Sequence, residues 1–397
     1  MDDSVRFDIM IPKIDIEQYT TQPIEETLSS YPTLLDVLES IAAQEENALA
    51  AVQPMSQTKM PDWLYYLNQV GHCQLIQCNG MPVLMPMGKR FGVYYRGESK
   101  YHKECLPSLW REKDKEKQEK ERILSYMQTA EMIVVMKQHP VIRHIENTPI
   151  HINLSSGPIE VYVPIQYDGL AQHYGIKTRY LDLTTDKWSA AFFAATDYRD
   201  GEYLIHKTSA DDKIENKFGT FYVLQLPPRD DMLTDFSVFP IGQQYFNRPG
   251  CQSALVMDMR KYRDLNKCPI AKKIFFRHDN TVSEQVYYLS QRGKRFFPDD
   301  SLQKVVEQIT ANPSLEFSEK AFELCWRIYY PKMSLDAVKT LVQGIGIKIV
   351  STFPFGFDAK EVARDKEKWD KGGSARYLDS IHMMDIMPVP NNLIIVK

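Results

Sequence analysis

Residues 171–198 read AQHYGIKTRYLDLTTDKWSAAFFAATDY, which sets Gln172, His173, Tyr174, Thr178, Arg179, Asp182 and Thr184 against an apolar, alanine-rich run. Such a cluster has the parts for holding a phosphate-bearing, hydroxyl-rich ligand. A neutral imidazole at His173 can donate to a ribose hydroxyl or act as acid or base near neutrality. Arg179 and Gln172 add donors, and the Tyr174 ring can stack on a flat base or simply pack. Asp182 lies three residues from Arg179 on a short strand, so the two point to opposite faces and are not partners. Facing inward, the Asp182 carboxylate needs a cation or several donors. Asp182 and Thr184 are therefore read as structural support, and His173 as a candidate catalytic group.

Three other stretches carry groups that fit the same chemistry. FGVYYRGE (91–98) ends on Arg96, whose planar, permanently charged guanidinium suits phosphate or pyrophosphate recognition, or alternatively an ion pair with a buried carboxylate such as Asp182. Gly97 beside it lets a ligand or another backbone approach closely. In FPIGQQYFNRPGCQ (239–252), Arg248 is a second candidate phosphate anchor, or else a surface arginine. Gln252 is a candidate catalytic residue that can orient ligand hydroxyls, although a neutral amide gives little electrostatic help. Glu98 or Glu284 could supply the carboxylate missing there, and Glu98 is the candidate carried forward.

Positioning these groups requires strands in the middle of the chain. FGVYYRGE, PIHINL, IEVYV, TRYLDL, 219–227, 253–259 and 272–278 read as strands from their β-branched and aromatic content. LAQHYG reads as a helix stopped at Gly175, and TTDKWSAAFFAATDY as a capped helix. CQLIQCNGMPVLMPMG reads as a hairpin about Asn79-Gly80. VRFDIMIPKIDI alternates as a strand, while residues 32–52 and 60–70 have helical spacing. The charged run within residues 110–139 leads into an apolar half, as a helix entering the core would. Past residue 280 helices dominate, and the last residues end in a strand-like run. The expected class is α+β: a central mixed or antiparallel sheet, on one view a split sheet, with helical N- and C-terminal regions. The expected division is an N-terminal region (1–89), an α+β domain (90–295) and a helical C-terminal region with a tail (296–397).

Bulk properties exclude several classes. The 397 residues are 43% hydrophobic and 25% charged with a net charge of −4, so nucleic acid is a possible partner that the charge does not indicate. No apolar run reaches the roughly 18 residues of a membrane helix, and the acidic N-terminus MDDSVRFDIM is unlike a signal peptide. The six cysteines are scattered, with no second pair or histidines to complete a zinc site around Cys73 and Cys78. The expectation is a soluble, cytoplasmic protein with reduced thiols, no membrane partner and no metal. Phosphate-loop, dinucleotide-fold, serine-hydrolase and zinc-protease motifs are missing. Cys251 lacks a placed histidine base and is not read as a nucleophile. RGKRFF and KKIFFRH mix basic and aromatic residues but are read as core strands and helix ends.

Taken together, Tyr95-Arg96-Gly97, Pro107-Ser108-Leu109-Trp110-Arg111 and the segment from Gln172 to Asp182 with Thr184 resemble the FRG-domain family, named for its Phe/Tyr-Arg-Gly motif. The likeness runs over about 90 to 365, with NRPGCQSALVM and KMSLDAVKTLVQGIGIKIVSTFPFGFDAKEVA as further family-like elements. Ser253-Ala254 stands where glycine is usual, Lys177 where proline is common, and Tyr180-Leu181 replaces a double leucine. The order of the motifs is similar to that of ADP-ribosyltransferases, which use an arginine on the first strand, hydroxyl residues on the second and a late glutamate. The resemblance implies a nucleotide-like small-molecule ligand, NAD first among them as substrate, with a macromolecular acceptor left open. It implies an ADP-ribosyltransferase-like or NAD-glycohydrolase-like enzyme in a toxin or phage-defence role, or a non-catalytic sensor that binds nucleotide or nucleic acid. Arg96, Gly97, Gln172, Tyr174, Arg179 and Arg248 would hold the ligand.

Overall fold

The computed structural model describes residues 25–43, 72–78, 81–87, 93–154, 157–162, 165–225, 238–241, 245–374 and 385–388. The expected strand at 5–16, the end of the helix at 32–52, the helix at 60–70 and the final run at 391–397 lie outside them.

Along the chain, the elements that build the site are strand β1 (Val93–Glu98), helix α1 (Lys115–Met136), α2 (Tyr167–His173), β2 (Tyr180–Thr184) and α3 (Lys187–Ala195). They continue with β3 (Phe218–Gln225), β4 (Val238–Pro240), α4 (Asn247–Cys251), β5 (Ala254–Asp258), β6 (Ala271–Arg277) and α5 (Asn280–Leu289). Helices α6 (Ser301–Thr310), α7 (Glu319–Tyr329) and α8 (Leu335–Gly344) follow. The fold is α+β around one six-stranded sheet of order β4-β5-β2-β1-β3-β6, with every neighbouring pair antiparallel. The two strands of the expected hairpin pair antiparallel, His72–Cys78 against Met81–Met87, with the turn at 79–80 outside the described residues, and Asp385–Pro388 adds as a parallel strand.

The sheet divides at its centre. β1 pairs with β3 through six residues, whereas β1 and β2 share the single pair Tyr95 and Thr184 and then diverge. The packing follows that division. On one face, Tyr180, Ala254 and Val256 of the β2 half join the large core made by α1, α2 and α6 to α8. On the same face, Tyr95, Phe221, Val223, Ile274 and Phe276 of the β1 half pack under α3, α5 and the helix at 34–43. The opposite face carries one continuous cluster, Tyr94, Leu181, Leu183, Tyr222, Leu224, Leu255 and Met257 among it, which bridges both halves. Two cores on one side and one on the other leave a cleft at the division.

Local sequence accounts for the ends of the elements around that cleft. Asp114 and Asp186 cap α1 and α3 by accepting backbone N–H groups of the first turn. After α2 the chain turns at Gly175, where φ is +99°, a conformation that costs glycine least. Two expectations change. The helix read through Tyr198 ends at Ala195, because Thr196–Arg199 pairs with Glu202–Ile205 as a hairpin. The loop expected at 239–252 contains β4 and the short helix α4.

Candidate functional site

The cleft is a cavity of about 910 Å³. Its lining includes Arg96, Gly97, Glu98, Gln172, His173, Tyr174, Asp182, Thr184, Arg248 and Gln252, so the fold brings together every expected site residue but Arg179. Arg179 immediately precedes β2, so strand alternation does not reach it, and its side chain folds over the Tyr180 ring away from the cavity. There its guanidinium is held by Asp258 at 3.0 Å and the Tyr180 hydroxyl at 2.7 Å, with Asp168 at 3.7 Å. It anchors the strand start and is not a ligand group of this cavity. Glu284, the other carboxylate considered, pairs with Lys207 at 3.3 Å outside the cavity.

At the cavity floor, β2 delivers Asp182 and α2 delivers Gln172 and His173. The Asp182 carboxylate accepts from the Gln172 amide at 2.9 Å and lies 3.4 Å from His173 Nδ1. Burial pushes its pKa up, but the His173 contact, the Gln172 amide and the nearby Arg96 outweigh burial and bring it below the usual carboxylate value. The Asp182 side chain is still 37% exposed, and that exposure is to the cavity. His173 is shifted downward, chiefly by burial and also by the charge of Arg248, against the pull of Asp182. It is thus neutral at pH 7, with Nδ1 directed to Asp182. Its side chain is 4% exposed, and Nε2 has no partner among the described residues. Thr184 is a joint: its hydroxyl donates to the Gln252 carbonyl at 2.6 Å and accepts from the Asp186 amide at 2.9 Å.

Arg96 closes the division of the sheet. Its Nη1 donates to the Asp182 carbonyl at 2.9 Å, across the gap where β1 leaves β2, and its Nε and Nη2 both reach Glu98 Oε1 at 3.1 Å. The ion-pair reading of Arg96 therefore holds with a different carboxylate, two residues along the same strand face. Glu98 Oε1 also accepts from the Cys105 thiol at 3.3 Å, so this carboxylate serves as counter-ion to Arg96, while its buried Oε2 has no partner among the described residues. Gly97 is needed for packing, since an added Cβ would stand 1.9 Å from the Ala190 carbonyl oxygen and 2.9 Å from Ala194 Cβ. This close seat of α3 on β1 explains why α3 is rich in alanine.

Across the cavity, Arg248 from α4 lies over the rings of Tyr174 (5.2 Å) and Phe297 (4.8 Å) and donates to Gln303. No carboxylate pairs with its guanidinium among the described residues. Tyr174 serves as its platform: the hydroxyl donates to Asp300 at 2.7 Å, and that carboxylate also takes the Arg248 amide at 3.3 Å. One face of the Tyr174 ring is therefore taken by the Arg248 guanidinium. Gln252 is buried with its amide donated to the Phe296 carbonyl at 3.0 Å, which makes it a tie between the end of α4 and the 296 loop. The next residue, Ser253, has φ of +47°, which accounts for glycine being usual there.

Several lining residues carried no expectation. Tyr203 and Phe297 stack at 4.7 Å and form an aromatic wall with Phe193. Arg111, Arg292 and Lys294 add cations to the lining. Arg111 was legible, as the last residue of the PSLWR element. The aromatic wall comes from hairpin and loop positions whose meeting depends on tertiary packing.

Residues 92–202 match the model of the FRG domain, and the chain carries an FRG domain over that span. The match covers β1, α2, β2 and α3, the elements that supply Arg96, Gln172, His173 and Asp182. No curated protein and no solved structure matches the chain. Among the described residues no helix is long and apolar enough to cross a membrane, and no cluster of side chains could hold a metal ion.

Proposed function

We propose that the cavity binds a phosphate-bearing nucleotide, NAD first among candidates, and cleaves it at the ribose in the manner of an ADP-ribosyltransferase or NAD glycohydrolase. One observation carries this reading: an ionised carboxylate, an unpartnered imidazole nitrogen and an arginine without a carboxylate partner line one cavity opposite an aromatic wall. Arg248 would hold phosphate, and Tyr203 with Phe297 would take a flat ring. Asp182 replaces Gln252 and Glu98 as the group facing the reacting carbon. In the reaction, the bond between ribose C1′ and the pyridinium nitrogen breaks, and its electron pair neutralises the ring as nicotinamide leaves. Asp182 would stabilise the oxocarbenium-like centre. Water or an acceptor hydroxyl adds to C1′ and gives up its proton, for which His173 Nε2 is the available base. A toxin or phage-defence role is compatible with such an activity.

The second reading is a nucleotide or nucleic-acid sensor without turnover. It draws support from the engagement of Glu98 by Arg96 and of Gln252 by Phe296, two of the three groups considered for catalysis. Incubation of the purified chain with NAD, with nicotinamide followed by chromatography and binding by calorimetry, separates the two. Release that is lost in Asp182→Asn supports the enzyme. NAD binding without release supports the sensor, and no binding removes both for this ligand.

A further inference from the structure

We infer that Thr178 is a positioning residue of the cavity: it fixes the orientation of the Gln172 amide, so that a donor and not an acceptor meets Asp182. The inference rests on the functional reading above for its kinetic consequence, but not for its structural content.

The direction of every hydrogen bond in this chain is set by a group that has no choice. The Tyr180 backbone N–H can only donate, and it donates to Thr178 Oγ1 at 3.1 Å. The Thr178 hydroxyl proton then goes to the other neighbour of that oxygen, Gln172 Oε1, at 2.6 Å. With its carbonyl oxygen committed, the Gln172 amide turns its nitrogen to Asp182 Oδ2 at 2.9 Å. A backbone N–H on β2 thus acts on the carboxylate of the same strand through two side chains. Rotation of the amide by half a turn would set two oxygens against each other, which favours a protonated carboxyl.

Thr178 is itself placed by the PSLWR element. Its amide donates to Ser108 Oγ at 3.1 Å, and its carbonyl accepts from Leu109 N at 3.2 Å. The threonine is buried, so its hydroxyl has little access to competing water. Two of the motifs that mark the family are in this way joined at one residue that does not line the cavity. The charged and titratable groups that face Asp182 are His173 and Arg96, with Arg111 and Tyr203 near enough to feel its charge. None of them is in the relay, so their influence is common to wild type and variants.

The test uses the full chain with aspartate labelled at the carboxyl carbon, the Asp182 signal being assigned by its loss in Asp182→Asn. Thr178→Val keeps the shape and removes the hydroxyl, and Thr178→Ser keeps the hydroxyl. The expected result is an upward shift of the Asp182 titration in Thr178→Val and a return to the wild-type curve in Thr178→Ser. Gln172→Leu should give a comparable shift, and the double variant no more than Gln172→Leu alone, because the two act as one unit. Where NAD turnover is present, the acid limb of the kcat profile moves to higher pH in Thr178→Val. That displacement costs about tenfold near the wild-type midpoint and little at high pH. A folded Thr178→Val whose Asp182 titration coincides with wild type overturns the inference, and so does additivity in the double variant. If Thr178→Val does not fold, Gln172→Leu and Thr178→Ser decide by the same titration, an unshifted Gln172→Leu or a shifted Thr178→Ser overturning the inference. Absence of NAD turnover in the wild type overturns the functional proposal and leaves the titration to judge the relay.

Discussion

Two carboxylate and histidine clusters lie within this domain, and they differ in what surrounds them. The first joins Asp182 to His173 at 3.4 Å and Gln172 at 2.9 Å, and opens on the cavity. The second joins Asp197 to Ser99 Oγ at 2.7 Å, Arg199 at 2.5 Å and His206 at 3.1 Å. His206 turns its other nitrogen to the Asn216 carbonyl at 2.9 Å, and His278, stacked 4.1 Å from it, bonds the Ser99 carbonyl at 2.7 Å. The Asp197 side chain is 8% exposed against 37% for Asp182. The closed cluster spends its polar groups on joining the end of β1, the 196–205 hairpin and the end of β6. The open one leaves a carboxylate face to the cavity, beside an imidazole whose buried Nε2 has no partner among the described residues. Residue type does not distinguish them; how far the neighbouring groups cover the carboxylate does.

The contrast can be broken most decisively by neutralising each carboxylate. Asp197→Asn should lower unfolding stability by about 3 kcal/mol, since it weakens the buried carboxylate's hydrogen bonds to Ser99 and His206 and removes its pair with the exposed Arg199, and should leave ligand binding per folded molecule unchanged. Asp182→Asn should alter stability by no more than about 1 kcal/mol and reduce nicotinamide release about a hundredfold or more. Denaturant titration beside the NAD assay measures both, and equal destabilisation by the two substitutions would end the distinction.

Gly97→Ala probes the seat of α3 between the clusters. The added methyl meets the Ala190 carbonyl, so a loss of about 2 kcal/mol is expected, with weakened NAD binding as the cavity wall moves. A thermal melt and calorimetry check the pair of effects. The pH dependence of stability comes next. Burial and the adjacent His206 press His278 down from 6.5 to about 3. Its folded value being the lower one, the unfolded chain takes up the proton first. Stability contributed by neutral His278 is complete above pH 6.5 and is lost as pH falls from there toward 3, with a slope approaching about 1.4 kcal/mol per pH unit. His278→Gln should flatten that part of the curve, whereas His173→Gln should disturb ligand binding more than the acid slope. The smallest effect belongs to Arg248→Ala, expected to weaken NAD about tenfold and to reduce the salt dependence of binding.

Much of the architecture was legible from local rules. Five of the six strands of the central sheet, the glycine stop after α2, the aspartate cap of α3 and the pairing of 72–78 with 81–87 follow from alternation, capping and turn chemistry, each of which acts within a few residues. Most of the cleft residues were legible as well, because Arg96, Gln172, His173 and Asp182 sit in short motifs. Their roles were less so. Glu98 looked available until Arg96 folded onto it along the same strand face, and Gln252 looked catalytic until the 296 loop claimed its amide. Arg179 shares a segment with Asp182 but is held at the strand start by Asp258 and Tyr180, outside the cavity.

Composition and periodicity by themselves determined an α+β chain with a strand-rich centre, and the motif residues determined which side chains a ligand site would draw on. Tertiary structure alone decided where the sheet divides, which carboxylate stays open and which cation stays unpaired. The reason is that burial and hydrogen-bond satisfaction depend on partners far along the chain. Asp182 is set by Gln172 and His173 ten and nine residues away, but Arg248 is set by Phe297 and Gln303, and Asp197 is closed off by Ser99. Local sequence states what a side chain can do, and its distant neighbours decide whether it remains free to do it.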